Sequence, residues 1–314
     1  MFITRVEASG FAGLGRLDLS FDRLVLHEAP PRALTALADA LLLPFAACDA
    51  EACRALLRRW GCEGVTVEGQ PLPEGASWER APGLAAVLEP GGDGLCAVAL
   101  TIQLDPPQFG RLRRESARDT RLVDALAEGA TLHLRVGARF ATGLDAVALD
   151  LLACTIGGQP FAVAGADRPP WLQPLLRGLA GRVQRGPVTA SRWVERAGSY
   201  QHADQRSLRA ATAALRGAPL ELGEVLVMPD GPAVFTEDSV VPVRHYGERM
   251  AQLVGLVGAV HLSGADVLVV EHPPPELEGW LARQVEGDPS PLEQVILLGG
   301  GGGGTYANEQ AVGS

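Results

Sequence analysis

The sequence contains no lysine, and arginine supplies all 27 of its basic residues. No lysine side chain is therefore present to form a Schiff base, act as a general base or clamp a phosphate. The formal net charge is −10. An acidic protein lacks the basic surface that phosphate contacts require, so we expect no direct binding to nucleic acid.

Paired cysteines are also missing. The five cysteines fit neither a disulfide framework nor the Cys-x-x-Cys spacing of zinc ligands, and no signal peptide precedes them. We expect reduced thiols, no bound metal and a cytoplasmic protein. These cysteines are Cys48, Cys53, Cys62, Cys96 and Cys154.

A continuous membrane span is absent as well. Residues 250–270 are strongly apolar, but Gly264, Ala265 and Asp266 divide them into a piece of helix length and a piece of strand length. We therefore expect no insertion into a membrane. Six consecutive glycines, residues 299–304, begin a tail with the composition of a flexible linker.

The remaining pattern alternates strands with helices. With 314 residues, 47% of them hydrophobic, the chain can form a large core as one large domain or two ordinary ones. Strands are predicted at 17–21, 24–26, 96–104, 131–136, 147–156, 222–228, 267–270 and 295–298. Helices are predicted from Pro31 onward and at 49–61, 109–126, 171–183, 207–215 and 246–261. Residues 62–94 are rich in glycine and proline and indicate turns with short strands.

Three of these strands are nearly uninterrupted apolar runs. They are residues 24–26, 267–270 and 295–298. Strands of this kind are typical of parallel sheets covered by helices on both faces. We expect all three among the central strands of a largely parallel sheet.

Four segments, in this order along the chain, carry a resemblance to a known family. They are FITRVEASGFAGLGRLDLSF, RALTALADALLLPF, VPVRHYGERMAQLVGLVGAV and ADVLVVEHPPPELEGW, the last followed by EQVILL. The chain resembles the compact RecF/SMC-like branch of ATP-binding-cassette (ABC) ATPase heads, as a degenerate member. The resemblance implies an α/β, P-loop NTPase fold, with a mixed N-terminal β-sheet packed on a mainly parallel core sheet and flanking helices.

The same resemblance implies a domain organisation. Residues 1–298 would form a single head domain, and residues 62–165 would be a β-rich lobe or insertion within it. Residues 299–314 would be a glycine-rich flexible tail outside the fold.

The segment EAPPRALT stands where the resemblance places the phosphate-binding loop. A working loop needs glycines so that successive backbone N–H groups can turn onto phosphate oxygens, and this segment has none. Two of its residues are prolines without an N–H, and a leucine replaces the expected lysine. The vestigial loop consists of Glu28, Ala29, Pro30, Pro31, Arg32, Ala33, Leu34 and Thr35. We expect it to bind no nucleotide.

Two further motifs are altered relative to the family. Glu271 stands at the position of the magnesium-organising aspartate of the Walker B strand, and His272 at that of the glutamate that activates water. We expect both to be vestigial rather than catalytic. The signature segment retains a single glycine, and it would offer a protein interface instead. This signature-like interface consists of His245, Tyr246, Gly247, Glu248 and Arg249.

Three hypotheses of function remain open. In the first, the chain is a pseudo-ATPase without cofactor that scaffolds a larger complex, as a homodimer or with a related active ATPase. In the second, it is a divergent, active ATPase that binds ATP and magnesium through Thr35, Glu271 and His272. In the third, it is an α/β enzyme of unrecognised chemistry.

Overall fold

The structure is a computed structural model that describes residues 1–11, 14–27, 29–46, 66–67, 95–115, 119–141, 146–218, 224–235, 239–286 and 291–299. The helix predicted at 49–61 and nearly all of the predicted turns and tail lie outside these residues. The chain divides into two compact units. The first comprises Met1–Asp22, Ala29–Gly181 and Ala307–Ser314, and the second comprises Arg23–Glu28 and Arg182–Tyr306. Whether both belong to a single domain stays a prediction.

A mixed β-sheet forms the framework of the first unit. Its strands are β1 (Phe2–Phe11), β2 (Gly15–Ser20), β4 (Thr66–Val67), β5 (Leu95–Gln103), β6 (Thr131–Ala141), β7 (Ala146–Ile156) and β8 (Gln159–Phe161). They run in the order β2-β1-β5-β6-β7-β4, and β8 pairs with β7. Every pairing is antiparallel except that of β4 with β7.

Helix α1 (Pro31–Ala46) packs on this sheet against β1, β5 and β6. It begins at a proline, which is favoured at the first helical position because its missing N–H has no partner to lose. Most of its apolar residues are buried, Leu37 and Leu41 completely so. The sequence predicted this helix start correctly.

A single helix at 109–126 was expected, and this prediction is wrong. The structure has two helices, α2 (Pro106–Glu115) and α3 (Thr120–Glu128). The carboxylate of Asp119 accepts a hydrogen bond from the N–H of Leu122 at 3.2 Å, so Asp119 caps a new helix. The indole Nε1 of Trp171 donates to the other oxygen of Asp119 at 2.9 Å and holds the cap in place. Helix α4 (Leu172–Ala180) follows Trp171 directly.

A parallel sheet forms the core of the second unit. Its strands are β3 (Leu24–His27), β9 (Val183–Arg185), β13 (Val267–Glu271) and β14 (Gln294–Leu298), in the order β3-β14-β13-β9. All three pairings are parallel, as predicted. β13 and β14 are central, and residues 267–270 are buried.

Two details of this sheet correct the sequence analysis. Among the described strands, β3 lies at one edge of the sheet and is not a central strand. Leu24 and Val25 are accordingly only half-buried. The helix predicted to end at Val183 stops at Ala180, because Val183 begins strand β9 and pairs with Val267.

Helices and a small antiparallel sheet complete the second unit. The helices are α5 (Ala190–Gly198), α6 (His202–Arg216), α7 (Glu248–Leu262) and α8 (Pro275–Glu286). The sheet has the order β10-β11-β12, with β10 (Glu224–Met228), β11 (Gly231–Phe235) and β12 (Val240–Pro242). One hydrophobic core joins α7 to side chains from both sheets and from the other helices. Within the part of the chain that the structure describes, no helix has both the length and the apolar character of a membrane span.

Gly258 is the point of closest packing on α7. A Cβ added there would lie 2.5 Å from Val188 Cγ2 and 2.6 Å from the Nε1 atom of the buried Trp193. We expect Gly258→Ala to lower the free energy of unfolding by about 2 kcal/mol, because overpacking forces these groups apart. Urea denaturation measures the change.

The matched control is the same substitution in helix α8. A Cβ at Gly279 would meet nothing closer than Arg283 Nη1 at 3.7 Å. Gly279→Ala is expected to raise the free energy of unfolding by about 0.5 to 1 kcal/mol, since alanine favours a helix over glycine. Equal effects of the two substitutions would contradict the packing described for Gly258.

Candidate functional site

The ends of the four parallel strands form what we term the carboxyl edge of the second unit. It is defined by His27, Arg185, Glu271, His272 and Leu298. The register aligns Glu271 with Leu298 and Leu298 with His27. Open α/β sheets bind ligands beyond the carboxyl ends of their strands, so this edge is the candidate site of the second unit.

An ion pair joins the ends of β9 and β13. The Nε atom of Arg185 donates a hydrogen bond to Oε1 of Glu271 at 2.5 Å. The two side chains are only 12% and 20% exposed. The guanidinium therefore neutralises the carboxylate that the family resemblance assigns to magnesium. A metal ion would have to compete with this arginine for the carboxylate.

Backbone contacts hold Arg185 in position. The N–H of Gly186 donates to the carbonyl of Val269 at 2.7 Å. The side-chain amide of Gln184 donates to the carbonyls of Arg185 and Gly186 at 3.0 and 3.2 Å. Gly186 has φ +63°, a left-handed conformation that glycine adopts without strain. The chain thus turns immediately after the arginine and leaves its side chain directed along the sheet edge to Glu271.

His272 follows Glu271 in a strained backbone conformation. Its φ is +47°, the only left-handed value of a non-glycine residue among the described residues. The N–H of His272 donates to the carbonyl of Leu298 at 2.7 Å, which extends the β13–β14 pairing by one bond. Its imidazole is exposed, whereas the next residue, Pro273, is buried.

His27 ends strand β3 at the same edge. It is half-buried, and this burial lowers its pKa below the ordinary value for histidine. Its ring is consequently neutral at pH 7 and adds no positive charge to the edge. The carbonyl of His27 accepts a hydrogen bond from the N–H of Gly299 at 2.9 Å.

Residues Ala29–Thr35 of the vestigial loop lie just before and within the first turn of α1, in the first unit. The carbonyl of Pro30 accepts hydrogen bonds from the N–H groups of Ala33 and Leu34, at 2.8 and 3.1 Å. The side chain of Leu34 is buried, and Thr35 is half-buried. Glu28 lies outside the described residues, as do the side chains of Pro31 and Arg32. Two of the N–H groups that could face a phosphate thus belong to the first turn of the helix.

The signature-like interface precedes and begins α7. Its five residues, 245–249, are all exposed. Gly247 has φ +92° and is the N-terminal cap, and its carbonyl accepts from the N–H of Ala251 at 3.2 Å. Arg249 forms an exposed ion pair with Glu276 at 3.6 Å. The segment therefore presents a tyrosine and charges of both signs to solvent.

Within the second unit, the structure brings Glu271 and His272 together with a residue that the sequence analysis missed. Arg185 had no predicted role, although its strand, RVQRGP, ends in a charged residue followed by glycine and proline. VEHPPP at the end of β13 has the same order of an apolar strand, a charged residue and a turn. This similarity is the feature of the sequence that could have indicated a role for Arg185. Among the described residues, no group of three or more His, Cys, Asp or Glu side chains could hold a metal ion.

Together, the mixed N-terminal sheet and the parallel core sheet define the fold class as that of ABC-ATPase-like heads, and the predicted fold is confirmed. The solved structures to which the chain is similar include two heads of SMC proteins. One is an SMC head bound to the C-terminal winged-helix domain of ScpA, with a TM-score of 0.50, 10% identity, and coverage of 95% of this chain and 89% of that chain.

A second is an SMC head with an extended coiled coil bound to the C-terminal domain of ScpA, derived from Pyrococcus furiosus. Its TM-score is 0.47 at 9% identity, with coverage of 95% of this chain and 89% of that chain. No protein-family model and no curated protein sequence matches the chain. The similarity thus extends to the fold alone.

Proposed function

We propose that the protein is an ATPase-like head that does not hydrolyse nucleotide and that acts as a binding or scaffolding subunit of a larger complex. The observation that carries the proposal is the ion pair between Arg185 and Glu271. A magnesium ion needs carboxylate oxygens, and this carboxylate is already compensated by a guanidinium in a largely buried setting. The protein holds no nucleotide cofactor in this proposal.

The start of α1 supports the same conclusion independently. A phosphate is held by successive N–H groups and by a lysine, and this chain has no lysine. Pro30 and Pro31 contribute no N–H, and those of Ala33 and Leu34 bond to the carbonyl of Pro30. The residue at the lysine position, Leu34, is buried. A triphosphate would therefore find neither the cradle nor the charge that it requires.

The proposed partner is another protein, either a second copy of this chain or a related active ATPase. The net charge of −10 disfavours nucleic acid. The exposed residues 245–249 offer an aromatic side chain and charges of both signs, a composition suited to a protein interface. A cytoplasmic location is part of the proposal.

A thermal-shift measurement with magnesium and ATP tests the loss of nucleotide binding. A ligand present at about 100 times its Kd stabilises a protein by about 2.7 kcal/mol, which would raise the Tm of a chain of this length by about 4 °C. We expect no increase in Tm at about 1 mM ATP, a concentration at which a site with a Kd of about 10 µM would be nearly saturated. We also expect no release of phosphate above a buffer blank.

The variant Thr35→Ala is the control, because Thr35 is the one hydroxyl that the family resemblance places on magnesium. An ATP-dependent rise in Tm that this variant abolishes would show a retained nucleotide site. Such a result would replace the proposal by the active-ATPase hypothesis.

One observation favours that second hypothesis, and it concerns His272. Strained backbone conformations cost about 1 to 3 kcal/mol and cluster at functional sites. His272 has such a conformation, with φ +47°, beside Glu271. If His272 is a catalytic base, His272→Gly will abolish ATP hydrolysis while relieving the strain. If the protein is a pseudo-ATPase, His272→Gly will raise the Tm and no hydrolysis will be present to lose.

A further inference from the structure

One side of the small antiparallel sheet of the second unit carries four exposed apolar residues, which together we term the outer face. It is formed by Leu226 and Met228 of β10, Phe235 of β11 and Val240 of β12. These side chains are 37%, 39%, 47% and 40% exposed, in that order. Four of the seven large hydrophobic residues that the described chain exposes thus lie on one three-stranded sheet. Such grouping marks an interaction site more often than scattered exposure does.

The register shows that these residues share a face. Phe235 is aligned with Glu224 on one side and with Val240 on the other. The alternate residues Val225 and Val234 are buried in the core of the unit. Successive side chains of a strand point to opposite sides of a sheet. The sheet therefore covers the core with one side, and its other side carries the four exposed side chains beside the buried Gly231 and Ala233 of β11.

Charged pairs of opposite sign stand at the two ends of the outer face. Arg216 and Glu224 are 3.6 Å apart at the end that carries Phe235 and Val240. Arg244 and Asp230 are 3.2 Å apart at the end that carries Met228, since Asp230 lies in the β10–β11 turn. All four charged side chains are exposed, so neither ion pair adds much to the stability of the fold.

We propose that the outer face is the contact through which a second copy of this chain binds. The two copies are related by a twofold axis that lies in the plane of the interface and runs perpendicular to the strands, so that their outer faces pack against each other. The strands of the two copies then run in opposite directions. Glu224 of one copy contacts Arg244 of the other, and Arg216 of one copy contacts Asp230 of the other. Each contact occurs twice, because a twofold interface is self-complementary.

This arrangement identifies the partner in the proposed function as a second copy of the chain. In that respect the inference rests on the proposed function. Four apolar side chains make a small interface, so the dimer is weak, with a Kd on the order of 10 µM. The apolar centre excludes water, and the charged rim sets the orientation of the two copies.

Sedimentation velocity of the full chain between about 1 and about 300 µM tests the proposal, since this range brackets the expected Kd. We expect a monomer at the lowest concentration and a dimer at the highest. Val240→Asp should weaken the dimer at least about tenfold, because it introduces a desolvated charge. Val123→Asp is the matched control, because Val123 is a valine of the first unit with the same 40% exposure. It should leave association unchanged.

Charge reversal tests the orientation. Glu224→Arg alone and Arg244→Glu alone should each weaken the dimer about tenfold or more, because each creates two repulsive contacts. The double variant should restore association to within about threefold of the original. Far-ultraviolet circular dichroism and the Tm should be unchanged in all three, since the affected ion pairs are exposed.

Three results would overturn the proposal: a monomer at every concentration, equal effects of Val240→Asp and Val123→Asp, or no rescue by the double variant. These outcomes are independent of the nucleotide experiment. Dimerisation through the outer face together with ATP hydrolysis would contradict only the pseudo-ATPase proposal. A monomeric protein whose Tm does not change with ATP and which releases no phosphate would contradict only the outer-face proposal.

Discussion

Glu271→Ala is expected to lower the free energy of unfolding by about 3 kcal/mol. The substitution leaves the guanidinium of Arg185 without this carboxylate in a setting where its side chain is only 12% exposed. Removing one partner of a largely buried ion pair costs about 3 to 5 kcal/mol, and the residual exposure of both groups places this case at the lower limit. Urea denaturation at neutral pH measures the loss.

Two control variants separate charge from packing. Glu271→Gln retains an oxygen acceptor for Arg185 and should cost only about 1.5 kcal/mol. The double variant Arg185→Met with Glu271→Leu replaces the pair by apolar side chains of similar size and should be within about 1 kcal/mol of the original. A loss below about 1 kcal/mol for Glu271→Ala would mean that the ion pair is not formed. The carboxylate would then be available to a metal ion, which supports the active-ATPase hypothesis instead.

Gly157→Ala is expected to have the largest effect on stability, a loss of about 4 kcal/mol in the free energy of unfolding. A Cβ at this position would lie 1.9 Å from the carbonyl oxygen of Ala125, so the end of α3 would have to move. Gly157 also has φ +53°, which costs a side-chain-bearing residue about 1 kcal/mol. The free-energy costs of the clash and of the backbone strain add. Their sum lies in the upper range of the stability losses that single substitutions cause.

Its neighbour in the same turn provides the control. Gly158 has φ +79°, and a Cβ there would meet nothing within 4 Å. Gly158→Ala should therefore cost only the backbone strain, about 1 kcal/mol. Chemical denaturation of both variants measures the difference. Similar losses would show that the contact between the turn and α3 is absent.

The sequence predicted the main elements because their patterns are local. Residues 267–270 and 295–298 are unbroken apolar runs, and both form buried parallel strands. Pro31 indicated the start of α1, and α1 begins there. The prediction of one helix over 109–126 was wrong, because Asp119 caps a second helix with support from the distant Trp171. A local sequence pattern does not record a cap that depends on a residue 52 positions away.

The sequence predicted only part of the candidate site. Glu271 and His272 were found from their position after an apolar strand, and the structure places them at the carboxyl edge. Arg185 was missed, because 86 residues separate it from Glu271 and only the pairing of β9 with β13 brings them together. The vestigial character of these residues and of the start of α1 stays a prediction.

By itself, the sequence determined the acidic charge, the lack of lysine and the two central buried strands at 267–270 and 295–298. The sequence also supplies two consecutive glycines, Gly157 and Gly158, for the turn between β7 and β8. Glycine adopts the backbone conformation of such turns without strain. The tertiary structure alone decided that Gly157 faces Ala125 while Gly158 faces open space. It alone decided that Arg185 compensates Glu271 and that four apolar side chains on one side of the β10–β12 sheet remain exposed. Conformational preferences and hydrophobic periodicity are properties of neighbouring residues, whereas clashes, ion pairs and exposed faces depend on segments far apart in the chain.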